Sequence, residues 1–245
     1  MSSSATLATA ARVILQLRRD PRTVALVIVV PLVLIALLKG VFEGQPQSFN
    51  RIGGPLVGIF PLISMFLVTS ITMLRERTSG TLERLMTLPL AKLDLLAGYG
   101  LAFAIVATIQ GVVVAGVSFL LLDLQIAGSE IAMVGLAVLN ALLGMALGLL
   151  ASAFARTEFQ AVQFMPAFIL PQFLLCGLIV PTDQMAGVLE ALSWILPMTW
   201  AYDALERVTV DGSLGSRGAI DVVVVLGATL GALALAALTL RRRTP

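Results

Sequence analysis

The sequence predicts an all-α polytopic membrane protein, and three observations carry that prediction. Hydrophobic residues make up 58% of the 245 and charged residues only 12%, far from the mixture of a water-soluble domain. The mean hydropathy is +1.00. The apolar residues gather into continuous runs of about 20, the length at which a helix crosses a hydrocarbon core of ~30 Å, whereas barrel strands would show short alternating segments.

The first element precedes these runs. Leu7, Ala10, Ala11, Ile14 and Leu17 recur at helical spacing with Arg12, Arg18 and Arg19 around them, and the pattern ends at Asp20-Pro21. Over residues 1–22 this predicts an interfacial helix lying along a leaflet. Runs at 23–42, 54–74, 95–122, 131–154, 160–180 and 219–240 then predict six transmembrane helices. The first run follows arginines as a signal peptide's would, but it continues through Phe42 with no small-residue cleavage pattern, so it is expected to stay as a span.

Between the second and third runs lies the stretch 75–92. Gly80 offers a helix entry, Leu82, Leu85 and Met86 make a small apolar face, Arg75, Arg77, Glu83 and Arg84 stay wet, and Pro89 ends it. A short amphipathic helix fits, and so does a solvated loop. The longest connection, 181–218, opens at Pro181, carries Val188, Leu189, Leu192, Ile195 and Leu196 at helical spacing, and restarts at Pro197 with Trp200, Ala204 and Leu205. This predicts an outer-leaflet helical hairpin between spans five and six, broken at Pro197, with Trp194, Trp200 and Tyr202 at interface depth. The pattern fits a hairpin that dips into the leaflet and one that rests on it.

Charge sets the expected orientation. With the N-terminus inside, 12 of the 16 Lys and Arg fall on the cytoplasmic side, while Lys39, Arg51, Arg207 and Arg217 fall outside with most of the carboxylates. The positive-inside bias and an even number of spans place both termini in the cytoplasm.

Several function classes are excluded or weakened. The chain has no His, which removes the usual general base, metal ligand and haem ligand. Its single Cys, Cys176, sits in an apolar run and suits a small buried hydrophobe better than a reactive thiol. No basic face interleaved with aromatics suggests nucleic acid. The middles of the spans carry no Asp, Glu, Lys or Arg, only residues such as Ser64, Gln110, Asn140, Gln163 and Gln172. These suit interhelical hydrogen bonds, and the missing ionisable relay points to energy supplied from elsewhere. Asn140, Gly144, Gly148 and Ser152 form one small-residue stripe of span four and Gly227 and Gly231 another in span six, which suits close helix packing. The only lysines, Lys39 and Lys92, lie in no glycine-rich phosphate loop, so the chain alone holds no Walker-type nucleotide site.

Two blocks resemble the type-2 permeases of ATP-binding-cassette exporters, especially the daunorubicin-resistance-like drug exporters. In the first, Arg75, Glu76 and Arg77 are followed by Gly80, Thr81, Leu82, Glu83, Arg84, Leu85 and Pro89. In the second, Gly148, Ser152, Arg156, Thr157, Gln160, Ala161, Pro171, Gly177, Pro181, Met185, Pro197, Tyr202, Asp203, Leu205 and Arg207 follow the family order. Cys176 stands where a Ser is usual, Ala186 where a Pro often follows the Met, and Glu206 pushes Arg207 one place along.

The resemblance implies one permease domain over residues 1–245. Residues 75–92 would be a cytoplasmic coupling loop whose helix docks on a separate ATPase subunit, with Arg156, Thr157 and Gln160 in a second cytoplasmic loop. Gly177, Pro181, Met185, Trp194, Pro197, Trp200, Tyr202, Asp203 and Arg207 would form an extracellular gate in the hairpin 181–218. It further implies a second permease subunit, identical or not, and ATP and Mg held by the ATPase rather than by this chain. It places the chain in a bacterial cytoplasmic (inner) membrane, with an amphipathic or apolar drug or lipid as substrate. The other function the residues allow is an ion-gradient-driven secondary transporter with no ATPase partner.

Overall fold

The computed structural model describes residues 3–80 and 92–239, and the regular elements among them are all helical. Helix α1 (Ser3–Arg18) precedes α2 (Pro21–Val41), and the break between them is chemical: Pro21 occupies the first turn of α2, where its missing N–H costs nothing, and the Asp20 side chain accepts from the Thr23 amide. The long α3 (Pro46–Thr78), α4 (Lys92–Leu120) and α5 (Glu130–Ser152) follow. Ser129 caps α5 by accepting from the Ala132 amide.

The fifth predicted span is broken. It consists of α6 (Glu158–Phe164), a π-helical turn (Met165–Ile169) and α7 (Leu170–Leu175). Pro166 and Pro171 remove two donors from the helical ladder, which is where a helix is expected to widen or kink. After a 3-10 turn (Thr182–Gln184) come α8 (Gly187–Ser193), α9 (Pro197–Glu206), a second π turn (Arg207–Asp211) and α10 (Gly215–Thr239). Among the described residues five helices are long and apolar enough to cross a membrane, namely α2, α3, α4, α5 and α10. Five of the six predicted spans are therefore continuous helices and the fifth is this interrupted segment, and the chain is a multi-pass all-α membrane protein.

The centre of the bundle is the seam of α3 and α5, which run parallel with a shared four-residue step. A Cβ on Gly144 would meet the Leu62 carbonyl oxygen at 2.0 Å, and one on Gly148 would meet that of Phe66 at 2.5 Å. Only glycine lets the two backbones approach so closely. The small-residue stripe of span four thus does what its spacing predicts. That of span six does not: nothing lies within 4 Å of a Cβ placed on Gly227 or Gly231, because α10 turns those positions away from α5.

Around the seam the burial is graded. Of the apolar windows, 72% of that in α3 is buried but only 17% of that in α2 and 22% of that in α10, so the last two lie on the outside of the bundle. Helix α1 docks on α4 through Thr9, Ala10, Val13 and Leu17, which are buried. Leu7 and Ala11 of the same helix are exposed. Burying Val13 and Leu17 stabilises the contact by about 1.5–3 kcal/mol each.

Both helical ends of the linker 181–218 are present as predicted, with the break at Pro197. Its second helix is packed into the bundle: Leu205 lies against Gly58, and Thr209 of the following π turn lies against Gly54. Those two glycines fall inside the run that hydropathy assigns to the second span. The second helix of the hairpin is therefore packed against the start of α3.

Candidate functional site

One end of the bundle gathers arginines. The last turn of α3 carries Arg75, Glu76 and Arg77, and successive helical residues point about 100° apart. Each of the three therefore meets a different neighbour. Arg75 donates from Nε and Nη2 to the two carboxylate oxygens of Glu158, at 2.8 and 3.0 Å, a bidentate pair to the first residue of α6. Glu76 is 3% exposed, receives the Tyr99 hydroxyl proton at 2.7 Å and pairs with Arg12 at 3.3 Å. Tyr99 also accepts from Arg12, so α1, α3 and α4 meet at one buried carboxylate. Arg77 donates to the Ser152 carbonyl at the end of α5.

Three of the predicted coupling residues, Arg75, Glu76 and Arg77, thus each contact one of the chain's own helices. Gly80 has a φ of +70° and follows the C-cap Ser79, so it terminates α3. Thr81, Leu82, Glu83, Arg84, Leu85 and Pro89 lie outside the described residues. Thr157 and Gln160 also have a local role: the Thr157 hydroxyl accepts from the Gln160 amide at 3.2 Å, and the Gln160 side chain accepts from the Arg156 amide at 2.9 Å. Thr157 is thus the N-cap of α6, and Gln160 ties the residue before it to the first turn. Arg156 itself is exposed.

At the opposite end a polar cavity of about 460 Å³ brings together six of the predicted gate residues, Gly177, Pro181, Trp194, Tyr202, Asp203 and Arg207. Met185, Pro197 and Trp200 are not among its lining residues. Pro197 starts α9, and Trp200 supports the wall from behind by donating its indole N–H to the Trp194 carbonyl at 2.9 Å, the two rings meeting edge to face at 5.0 Å. Gly177 has a φ of +104°, and a Cβ there would meet the Tyr202 ring at 3.1 Å. Arg207 pairs with Asp203 at 3.1 Å, with Asp221 of α10 at 3.5 Å and with Asp211 at 3.9 Å, one cation serving three carboxylates.

Burial pushes the Glu206 carboxyl above its ordinary range, with the Asp203 and Asp211 charges adding to that; the hydrogen bond with Tyr202 and the charge of Arg51 oppose it. Burial, and then the negative charge of Glu206, likewise raises the Tyr202 hydroxyl.

Between the two ends the polar side chains serve packing. Gln110 is fully buried and its amide donates to the Val27 carbonyl at 2.6 Å and to the Ser64 hydroxyl, tying α4 to α2 and α3. Thr108 and Ser118 bond carbonyls of their own helix. Gln163 is exposed on α6.

The sequence pattern missed Tyr99, Glu158 and the grouping of Arg12 with Glu76. Tyr99 carries the one signal that could have found it, a hydroxyl-bearing aromatic in the first turns of an apolar helix.

Comparison with known proteins agrees with this layout. A family model described as ABC-2 type transporter matches residues 4–208. The probable multidrug ABC transporter permease YbhR of Escherichia coli (strain K12) is 30% identical over 183 residues, covering 74% of this chain and 50% of that protein. The linearmycin resistance permease protein LnrN of Bacillus subtilis (strain 168) is 26% identical over 187 residues, covering 76% and 48%. YbhS of Escherichia coli (strain K12), also a probable multidrug ABC transporter permease, is 25% identical over 178 residues, covering 72% and 47%. The chain thus spans about half the length of these curated relatives. With the family model matched along most of the sequence and a polytopic helical bundle to go with it, the chain belongs to the ABC-2 type transporter family.

Proposed function

We propose that this chain is the membrane-spanning permease subunit of an ATP-driven exporter that moves an amphipathic or apolar molecule, a drug or a lipid, out of the cell. The observation that carries the proposal is the family match over residues 4–208. The names of the relatives, multidrug permeases and a linearmycin resistance permease, support drug export. The spans support it as well, since their middles present no fixed charge to an ionic cargo.

In this scheme a separate ATPase subunit binds ATP and Mg and carries out hydrolysis, and two permease chains enclose the pathway. The arginine-rich end faces the cytoplasm of a bacterial inner membrane, and residues 75–89 form the ATPase docking segment. The cavity around Tyr202 and Arg207 acts as the outer gate. ATP drives the cycle only through differential affinity between the two states, because a ligand that binds both equally shifts nothing.

The test is affinity purification of the chain from detergent-solubilised membranes of its own host. Wild type is expected to bring down a Walker-type ATPase. The Gly80→Pro, Glu83→Arg double change is expected to lose it while the membrane protein stays folded, since proline is locked near −65° and Gly80 sits at +70°. A wild-type chain that never carries an ATPase would overturn the proposal.

A further inference from the structure

We propose that Arg75 and Glu158 are a pair of positioning residues through which movement at the end of α3 is passed to the inner half of the broken span. This rests on the proposed function above, in which an ATPase acts on the segment that follows α3. The three consecutive charges there do different jobs. Arg77 holds the end of α5, which the Gly144 and Gly148 contacts already fasten to α3, and Glu76 gathers α1 and α4 at a buried carboxylate. Arg75 pairs with the first residue of α6.

Helix α6 is built to follow that contact. It rests on the end of α3 through a small apolar group of Leu74, Ala155 and Ala161, with Ile71 and Phe164 against it. Its far end runs into the π turn with Pro166, and Pro171 lies one turn further on. Interruptions of this kind absorb a change of direction without unfolding the flanking turns. Helix α6 can therefore swing with α3 while α7 stays against α9. Both members of the pair are about half exposed, 54% and 51%, so the contact contributes little to stability. A bidentate geometry in an exposed pair supplies direction rather than strength.

The experiment uses the complex of the full chain with its co-purified ATPase, in a background of Cys176→Ser and Phe159→Cys. Phe159 is exposed in the first turn of α6, ahead of the predicted span, so labelling there by a membrane-impermeant maleimide, with and without a non-hydrolysable ATP analogue, follows the position of that helix. With Arg75 and Glu158 in place the analogue is expected to change the labelling rate by about 5-fold or more, the lower end of typical coupling between sites. Glu158→Arg, which lies outside the docking segment, is expected to reduce the change to less than about 2-fold with the ATPase still bound, Arg75→Glu to reduce it likewise, and the double swap to restore it, as a direct pairwise interaction requires.

Singles that keep the nucleotide effect, a swap that fails to restore it, or a parent complex with no effect each overturn the proposal. An ATPase missing from the parent complex instead defeats the proposed function on which it rests.

Discussion

Substituting Gly144 by Ala tests the seam that holds the bundle together. The added methyl would lie 2.0 Å from the Leu62 carbonyl oxygen, and real Cβ atoms do not come within 3.0 Å of another atom, so α3 and α5 must part by about 1 Å. Because the obstacle is backbone, no rotamer change relieves it. Overpacking of this kind destabilises by about 1–3 kcal/mol, and a rigid backbone obstacle belongs at the upper end. At about 2–4 °C per kcal/mol for a chain of this size, the melting midpoint should fall by about 6–12 °C. Gly231→Ala is the control, with nothing within 4 Å of the new methyl. There the helix propensity of alanine adds up to about 1 kcal/mol, so the midpoint should hold or rise. The protein supplies its own reporter, since Cys176 is the one cysteine and is buried. Heating the purified chain with a fluorogenic maleimide reads its exposure as the fold opens. A Gly144→Ala protein that melts with wild type would refute the close approach of α3 and α5.

Three further outcomes follow from named contacts. Glu76→Gln removes the buried partner of Arg12 but leaves Tyr99 an acceptor, so a loss of about 1–3 kcal/mol is expected in the same melting assay, partly recovered by Arg12→Gln in the same chain. Arg207→Gln strips the shared cation from Asp203 and the fully buried Asp221 and should destabilise on the order of 2–4 kcal/mol, with Asp221→Asn restoring part of it. Glu206, whose carboxyl is raised above its ordinary range by burial first, contributes stability that is present below the unfolded pKa and is lost as pH rises through the folded one. Melting midpoints of wild type and Glu206→Gln measured from acid to neutral pH should show wild type falling behind as pH rises; parallel curves would contradict that assignment.

What the sequence revealed depended on how far each signal reaches along the chain. Span positions follow from the length of apolar runs, a property that tertiary packing hardly alters, and α2 to α5 and α10 appear where hydropathy puts them. The hairpin was legible for a similar reason, because Pro197 and the apolar spacing on either side of it are local. Six of the residues predicted to form a gate, spread over 177–207, then meet in one cavity once that hairpin folds. Side-chain direction was less accessible. The about 100° step between Arg75, Glu76 and Arg77 sends each to a different helix of the chain. Which neighbour lies in each direction depends on how α1, α4, α5 and α6 assemble, and no pattern within the segment contains that. The glycines of α10 show the same limit. Their spacing matches that of Gly144 and Gly148, but spacing does not say whether a helix presents the stripe to a neighbour.

Uptake by inside-out membrane vesicles puts the exporter proposal to its most direct trial. Vesicles from cells expressing the chain with its ATPase would be loaded with the lipophilic dye Hoechst 33342 and followed by fluorescence, with ionophores present to collapse proton and sodium gradients. Movement that needs ATP, survives the ionophores and is missing from vesicles lacking this chain is the expected result. Movement that proceeds without ATP and stops when the gradients collapse would instead make the chain a secondary carrier.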